Sequence, residues 1–86
     1  MITGINKVFE HAGSAFHIQA EDLGAEAAAF EVRVYDAGSV LWQKRISYQD
    51  LLDQNLDKKE REQQLHGRME KLVLTVEAAI ERGKIP

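Results

Sequence analysis

The chain lacks cysteine altogether and contains a single proline among its 86 residues. Without cysteine it can form neither a disulfide bond nor a Cys-based zinc site, and this composition fits a reducing compartment. Its longest uncharged apolar run, residues 27–30, is far too short to span a bilayer. Because no basic start followed by a long apolar run opens the sequence, we expect a cytoplasmic protein.

Positive charge is also scarce, with 11 Lys and Arg against 14 Asp and Glu, a formal net charge of −3. This balance argues against nonspecific binding to nucleic acid or to anionic membranes, since both need positive potential. The sequence has no Gly-rich phosphate loop, nucleophile elbow or H-E-x-x-H motif. We therefore expect no cofactor and favour a non-enzymatic protein.

What remains is the composition of one ordinary globular domain, with 44% hydrophobic and 29% charged residues. We interpret residues 1–86 as a single domain, β-rich over about residues 3–47 and helical over about residues 48–82. A chain of this length buries a modest core and often relies on a partner for stability.

The clearest local pattern is a β-hairpin. Residues 30–35 alternate between apolar and polar side chains, and residues 39–47 are rich in β-formers. Residues 36–38 between them predict a three-residue loop that contains glycine. This loop length sets a register with three predicted pairs: Val34 with Val40, Val32 with Trp42, and Phe30 with Lys44.

Residues 15–21 alternate as well, and a loop at residues 22–26 would place Ile18 opposite Phe30. A further strand at about residues 5–11 would join this one through residues 12–13. We therefore predict an α+β fold whose sheet is an antiparallel meander of three or four strands. The sheet side of the core should comprise Phe16, Ile18, Phe30, Val32, Val34, Val40, Trp42 and Ile46.

Two helices are predicted after the sheet. Ser47 and Asp50 have the spacing of a capping box, which favours a short helix near residues 48–54 that ends at Asn55. Asp57 begins a long C-terminal helix that should run to about residue 82 before Gly83.

The long helix carries a continuous apolar stripe. At 1.5 Å per residue it would be about 39 Å long, whereas the strands span only about 26 Å. A helix that extends past its sheet exposes apolar surface unless another chain covers it. We therefore predict a protein–protein interaction module, a homodimer or assembly subunit that associates through the long helix or a sheet edge. The same stripe is predicted to form the helix side of the core and to supply the interaction residues: Leu65, Met69, Leu72, Val73, Val76 and Ile80.

Two alternative functions remain open from the sequence. His17 and Glu21 share one face of a strand and Asp22 follows, so these residues are candidates for a metal-binding or hydrolytic site. A single strand supplies only two good ligands, which favours a solvated face instead.

The second alternative is single-stranded nucleic-acid binding on the outer sheet face. The residues that share this face are Arg33, Tyr35, Leu41, Gln43 and Arg45. Such surfaces stack bases on two or more rings, and here Tyr35 is the single ring. A surface for another protein is therefore the favoured interpretation.

Three strings of the sequence carry a resemblance: Phe16-His17-Ile18-Gln19-Ala20-Glu21-Asp22-Leu23-Gly24, Gly38-Ser39-Val40-Leu41 and Lys44-Arg45-Ile46-Ser47-Tyr48. The chain resembles a family of small uncharacterised bacterial proteins over about half of its length. The resemblance implies a bacterial source and a stand-alone domain, and it implies no activity, cofactor or partner.

Overall fold

A computed structural model describes residues 4–85 as four strands followed by two helices. The elements are β1 (Ile5–His11), β2 (Ser14–Asp22), β3 (Ala29–Asp36), β4 (Ser39–Ser47), α1 (Gln49–Asp53) and α2 (Lys58–Glu81). The strands form one antiparallel sheet in the order β1-β2-β3-β4. The α+β meander is confirmed with four strands, including the one at residues 5–11.

Two tight turns join the outer pairs of strands. Ala12-Gly13 and Ala37-Gly38 both have positive φ at both positions, 50° and 82° in the first turn and 50° and 83° in the second. This is the conformation of a two-residue hairpin turn whose twist matches that of the strands. The three-residue loop predicted at residues 36–38 was wrong, because Asp36 pairs with Ser39 inside the ladder.

The register between β3 and β4 also differs from the prediction. The observed pairs are Val34 with Trp42, Val32 with Lys44, and Phe30 with Ile46. A β-bulge causes the shift: Tyr35 pairs with Val40 while the preceding Val34 pairs with Trp42, which leaves Leu41 as the extra residue. The bulge turns Val40 to the outer face, where it is 49% exposed, so its prediction as a core residue was wrong.

The loop between β2 and β3 is longer than predicted and spans residues 23–28. Ile18 consequently lies opposite Val34, and Phe30 lies opposite Asp22, so the predicted pairing of Ile18 with Phe30 was wrong. The predicted and observed registers of β2 and β3 differ by an even number of residues, so each side chain still points to the predicted face of the sheet.

Helix α1 begins differently from the capping-box prediction. Tyr48 occupies the N-cap position without a side-chain hydrogen bond, and the Ser47 hydroxyl accepts one from the Gln49 amide at 3.3 Å. Asn55, with φ of 58°, reverses the chain after α1 as expected.

Helix α2 has the predicted caps at both ends. The Asp57 carboxylate accepts a hydrogen bond from the Glu60 amide at 2.8 Å. At the other end Gly83 takes a φ of 68°, and the Lys84 amide donates to the Ala79 carbonyl at 2.8 Å. This pattern satisfies carbonyl groups that the last helical turn would otherwise leave unpaired.

The core lies between α2 and one face of the sheet. Its buried members are Ile18, Ala20, Phe30, Val32, Val34, Tyr48, Leu51, Leu65, Met69, Val73, Val76 and Ile80. Of the other predicted core residues, Phe16, Trp42, Ile46 and Leu72 are partly buried against this cluster. Within residues 4–85 neither helix has both the length and the apolar character needed to cross a membrane.

Replacing Ala37 by Asn should stabilise the protein by about 0.5 kcal/mol. Asn accepts the positive φ of this position more readily than Ala does, and Asn-Gly is the preferred pair in such turns. Urea unfolding monitored by circular dichroism would measure the change. Ala27→Asn, in a loop position without positive φ, serves as the control and should have little effect. A loss of stability in Ala37→Asn alone would contradict the turn assignment.

Candidate interaction surfaces

The helix face predicted to meet a partner lies inside the domain. Leu65, Met69, Val73, Val76 and Ile80 are buried in a single copy, and Leu72 is half-buried. The comparison of helix and strand lengths missed the segment after β4, because Tyr48 and Leu51 extend the core beyond the ends of the strands. These residues form the helix side of the core as predicted, so a single copy already covers most of the stripe.

Helix α2 is tied to the β1 side of the sheet. Lys7 projects from β1 and donates a hydrogen bond to Oε1 of Glu77 at 3.0 Å, with Oε2 at 2.9 Å. Glu77 is buried, so this ion pair anchors the C-terminal part of α2 beside the edge strand β1. Since one helix is narrower than four strands, anchoring it at β1 leaves the β4 side of the same face less covered.

An open groove of about 290 Å³ results between α2 and β4. Its lining residues, which we call the β4 groove, are Phe30, Ile46, Arg68, Lys71, Leu72 and Thr75. The apolar side chains come from strands β3 and β4 and from Leu72, while the two cations come from α2. The groove thus combines an apolar lining with positively charged residues.

Some cations around the β4 groove have an acidic partner and others do not. Arg68 donates two hydrogen bonds to Asp50, at 2.9 and 2.7 Å, which lower the pKa of Asp50 and raise the pKa of Arg68. Lys44 lies opposite the buried Val32 and so faces the helix side of the sheet. Neither Lys44 nor Lys71 forms an ion pair within residues 4–85, so the groove retains positive charge.

The opposite side of α2 presents a different surface beside β1. Leu74 is 61% exposed there and lines a shallow depression of about 160 Å³. We call its lining residues, Ile5, Lys7, Glu70, Val73 and Leu74, the β1 flank. Glu70 Oε1 lies 2.7 Å from Nδ1 of His66 one helical turn earlier. The β1 flank is therefore an exposed leucine beside a carboxylate.

The outer sheet face is uncovered, as expected for the face opposite the helix. Arg33 and Arg45 both form ion pairs with Glu31, and a hydrogen bond with Tyr35, together with Glu31, raises the pKa of Arg33. Glu21 lies beside Glu31 in the ladder. Because carboxylates balance the arginines and one ring is present, this face lacks the positive potential of a nucleic-acid surface.

Apolar groups on the outer face lie in one row across the strands. Val8, His17, Tyr35 and Val40 occupy successive paired positions from β1 to β4, and Val8 is 53% exposed. Leu41 is half-buried beside them, and Gln43 pairs with Arg33 in the neighbouring row. Polar groups interrupt the row, so its apolar surface is not continuous.

The three residues considered for a metal-binding or hydrolytic site do not converge. His17 and Glu21 are exposed on the outer face, whereas Asp22 is buried on the other side of the strand. Its carboxylate accepts hydrogen bonds from the Tyr48 hydroxyl at 2.6 Å and from the Gly24 amide at 2.9 Å. Across residues 4–85 no group of three or more His, Cys, Asp or Glu side chains could hold a metal ion.

The cationic part of the β4 groove was missed by the sequence reasoning. Arg68 and Thr75 lie at positions i−4 and i+3 from Leu72, and Lys71 lies three residues after Arg68, so the three residues follow one side of the helix. This spacing was available as a signal. Spacing does not show that this side of the helix faces the gap beside β4, because the gap depends on where the helix lies on the sheet.

Comparison of the chain with family models, with curated proteins and with solved structures gave no match.

Replacing Tyr48 by Phe should destabilise the protein by about 2 kcal/mol. The substitution removes a buried hydrogen bond to Asp22, whose carboxylate would lose one of its donors inside the fold. Urea unfolding would measure the loss. Tyr35→Phe, which removes a hydroxyl from the outer sheet face, is the matched control and should cost much less. Equal effects of the two substitutions would contradict the structural role of the buried pair.

The same pair predicts a loss of stability at alkaline pH. Burial, followed by the hydrogen bond to Asp22, raises the pKa of Tyr48 above the ordinary value of 10.0. Above that value the unfolded chain releases the phenol proton while the folded chain retains it, so stability falls as pH rises. Urea unfolding from about pH 8 to about pH 11 should show this decline. The decline should be shallower in Tyr48→Phe, and identical slopes would contradict the prediction.

Proposed function

We propose that this chain is a non-enzymatic protein–protein interaction module that associates with copies of itself, as a homodimer or as a subunit of a larger assembly. We also propose a bacterial, cytoplasmic setting, for which the resemblance and the absence of cysteine are the support. The observation that carries the proposal is the β4 groove, where apolar side chains stay open beside an edge strand.

The groove joins the two features expected to mediate association, the long helix and a sheet edge. Leu72 supplies the helix side and Ile46 the strand side, and both are half-buried in a single copy. Among the strands described in residues 4–85, β4 has a hydrogen-bonded neighbour on one side only. A partner that covered the groove would bury apolar surface and could also reach the free edge of β4.

The other functions considered have less support. A hydrolytic or metal site around His17 and Glu21 would need Asp22, whose carboxylate lies on the opposite side of the sheet. Single-stranded nucleic acid would meet arginines on the outer face that Glu31 already pairs.

Sedimentation velocity at micromolar concentrations tests the proposal. The wild-type chain should sediment as a dimer or larger species, and Leu72→Glu should shift it to the monomer. The reason is that a carboxylate in the apolar groove would lose its hydration on association. Gln19→Glu adds the same charge to the outer face at an exposed position and should leave association unchanged.

Circular dichroism should accompany the sedimentation measurement to verify that the Leu72→Glu variant is folded. A wild-type chain that stays monomeric at the highest concentration would overturn the proposal. It would also be overturned if Leu72→Glu and Gln19→Glu associated to the same extent.

A further inference from the structure

We infer that copies of the chain associate head to tail, with the β1 flank of one copy docked in the β4 groove of the next. The inference rests on the proposed self-association and specifies its geometry. It follows from three properties of the two sides of the domain: their charge, their shape and the direction of their edge strands.

The first property is a separation of charge across α2. Arg68 and Lys71 line the β4 groove, whereas Glu70 lines the β1 flank. Glu77, buried against Lys7, and Glu81, one turn further on, share the side of Glu70 at helical spacing. One side of the helix is therefore basic and the other acidic, although the chain as a whole carries a net charge of −3.

The edge strands continue this separation. β4 contains no acidic residue; its two cations are Lys44, which has no ion pair within residues 4–85, and Arg45, which Glu31 pairs. β1 contains Lys7, which Glu77 already pairs, together with Glu10. The β4 side of the domain is thus positive and the β1 side is negative, so the two sides attract each other across copies.

The second property is shape. Leu74 projects from the β1 flank with 61% of its surface exposed. The β4 groove, at about 290 Å³, is large enough to receive a leucine side chain, since an apolar cavity of about 150 Å³ already holds benzene. Docking would bring Leu74 against Leu72 and Ile46 and place Glu70 near Lys71 of the neighbouring copy.

The third property is strand direction. In a four-stranded antiparallel meander β1 and β4 run in opposite directions. If β1 of one copy lies beside β4 of the next in the same orientation, the antiparallel sheet continues across the interface. A contact between two different surfaces of identical copies generates a ring or an open chain rather than a closed pair.

A symmetric contact of β4 with β4 is disfavoured on the same grounds. It would bring Lys44 and Arg45 of both copies together, and like charges facing each other destabilise paired strands. The bulge at Leu41 interrupts the ladder, and the inward-facing Lys44 is a feature that blunts sheet edges. The β4 edge therefore fits an acidic partner surface better than a second β4.

Two variants that each block one side test the geometry. Leu72→Glu blocks the groove and leaves the β1 flank intact, whereas Leu74→Lys places a cation on the β1 flank and leaves the groove intact. Each variant alone should lose self-association by at least about 10-fold, because like charges then meet at the interface. An equimolar mixture should recover association, because the intact groove of one variant meets the intact β1 flank of the other and the introduced charges that face each other are opposite in sign. Light scattering after size exclusion would measure the recovery.

The control is Leu74→Met, which keeps an apolar side chain at the exposed position and should associate as the wild type does. If Leu74→Lys associates normally while Leu72→Glu is monomeric, the head-to-tail geometry is wrong but self-association through the groove survives. If the mixture stays monomeric, the geometry is likewise overturned. A monomeric wild-type chain would overturn the proposed function together with this inference.

Discussion

A single helix about 10 Å across must cover the apolar face of a sheet that is four strands wide. With neighbouring strands about 4.8 Å apart, the sheet extends about 14 Å from β1 to β4 before side chains are counted. Full coverage is not possible, so the position of α2 decides which strand stays open. The half-buried state of Ile46, Trp42 and Leu72 follows from that choice.

Charge explains why the helix rests toward β1. Lys7 points inward from β1 and finds Glu77 on α2, and each of the two carboxylate oxygens lies within about 3 Å of its ammonium group. Lys44 points inward from β4 in the same way, but Arg68 and Lys71 are the helix residues on that side. Attraction at one edge and like charge at the other both place α2 nearer β1. The pair is partly exposed at Lys7, so its contribution is orientation more than stability.

The local elements were predictable because their signals are local. Alternating side chains indicated the strands, and Asp57 with Gly83 marked the ends of α2 within one residue of its observed bounds. Strand register was less accessible. Alanine is not typical of positive φ, so Ala37 did not indicate a two-residue turn. Nothing in the residue types marks Leu41 as the extra residue of a bulge. Away from the bulge both register errors were even in number, so the predicted faces were correct there. Between the bulge and the turn the error is one residue, and Val40 changes face.

The interaction surface could be predicted only in part, since it depends on where α2 lies across the sheet and not on the length of the helix. The apolar stripe of α2 was evident from its spacing, yet most of it contacts the chain's own sheet. The relevant mismatch is between the width of the helix and the width of the sheet. The ion pair of Lys7 with Glu77 positions the helix on the sheet, and these two residues are 70 positions apart in the sequence. Local periodicity cannot report such a pairing, although it did identify Leu72, the one member of the stripe that lines the groove.

The groove differs from the other exposed apolar groups because it results from a helix that is narrower than its sheet. Val8 and Val40 lie apart on a flat outer face with His17 and Tyr35 between them, and isolated apolar residues on a surface are ordinary. In the groove, Ile46 and Leu72 come from different elements and converge on one concavity. Concave apolar surface with a few charged groups supports specific binding, because burial supplies affinity and the charges fix orientation. Because its single helix covers the sheet only in part, the protein retains a surface that is both apolar and concave and that carries a few charged groups.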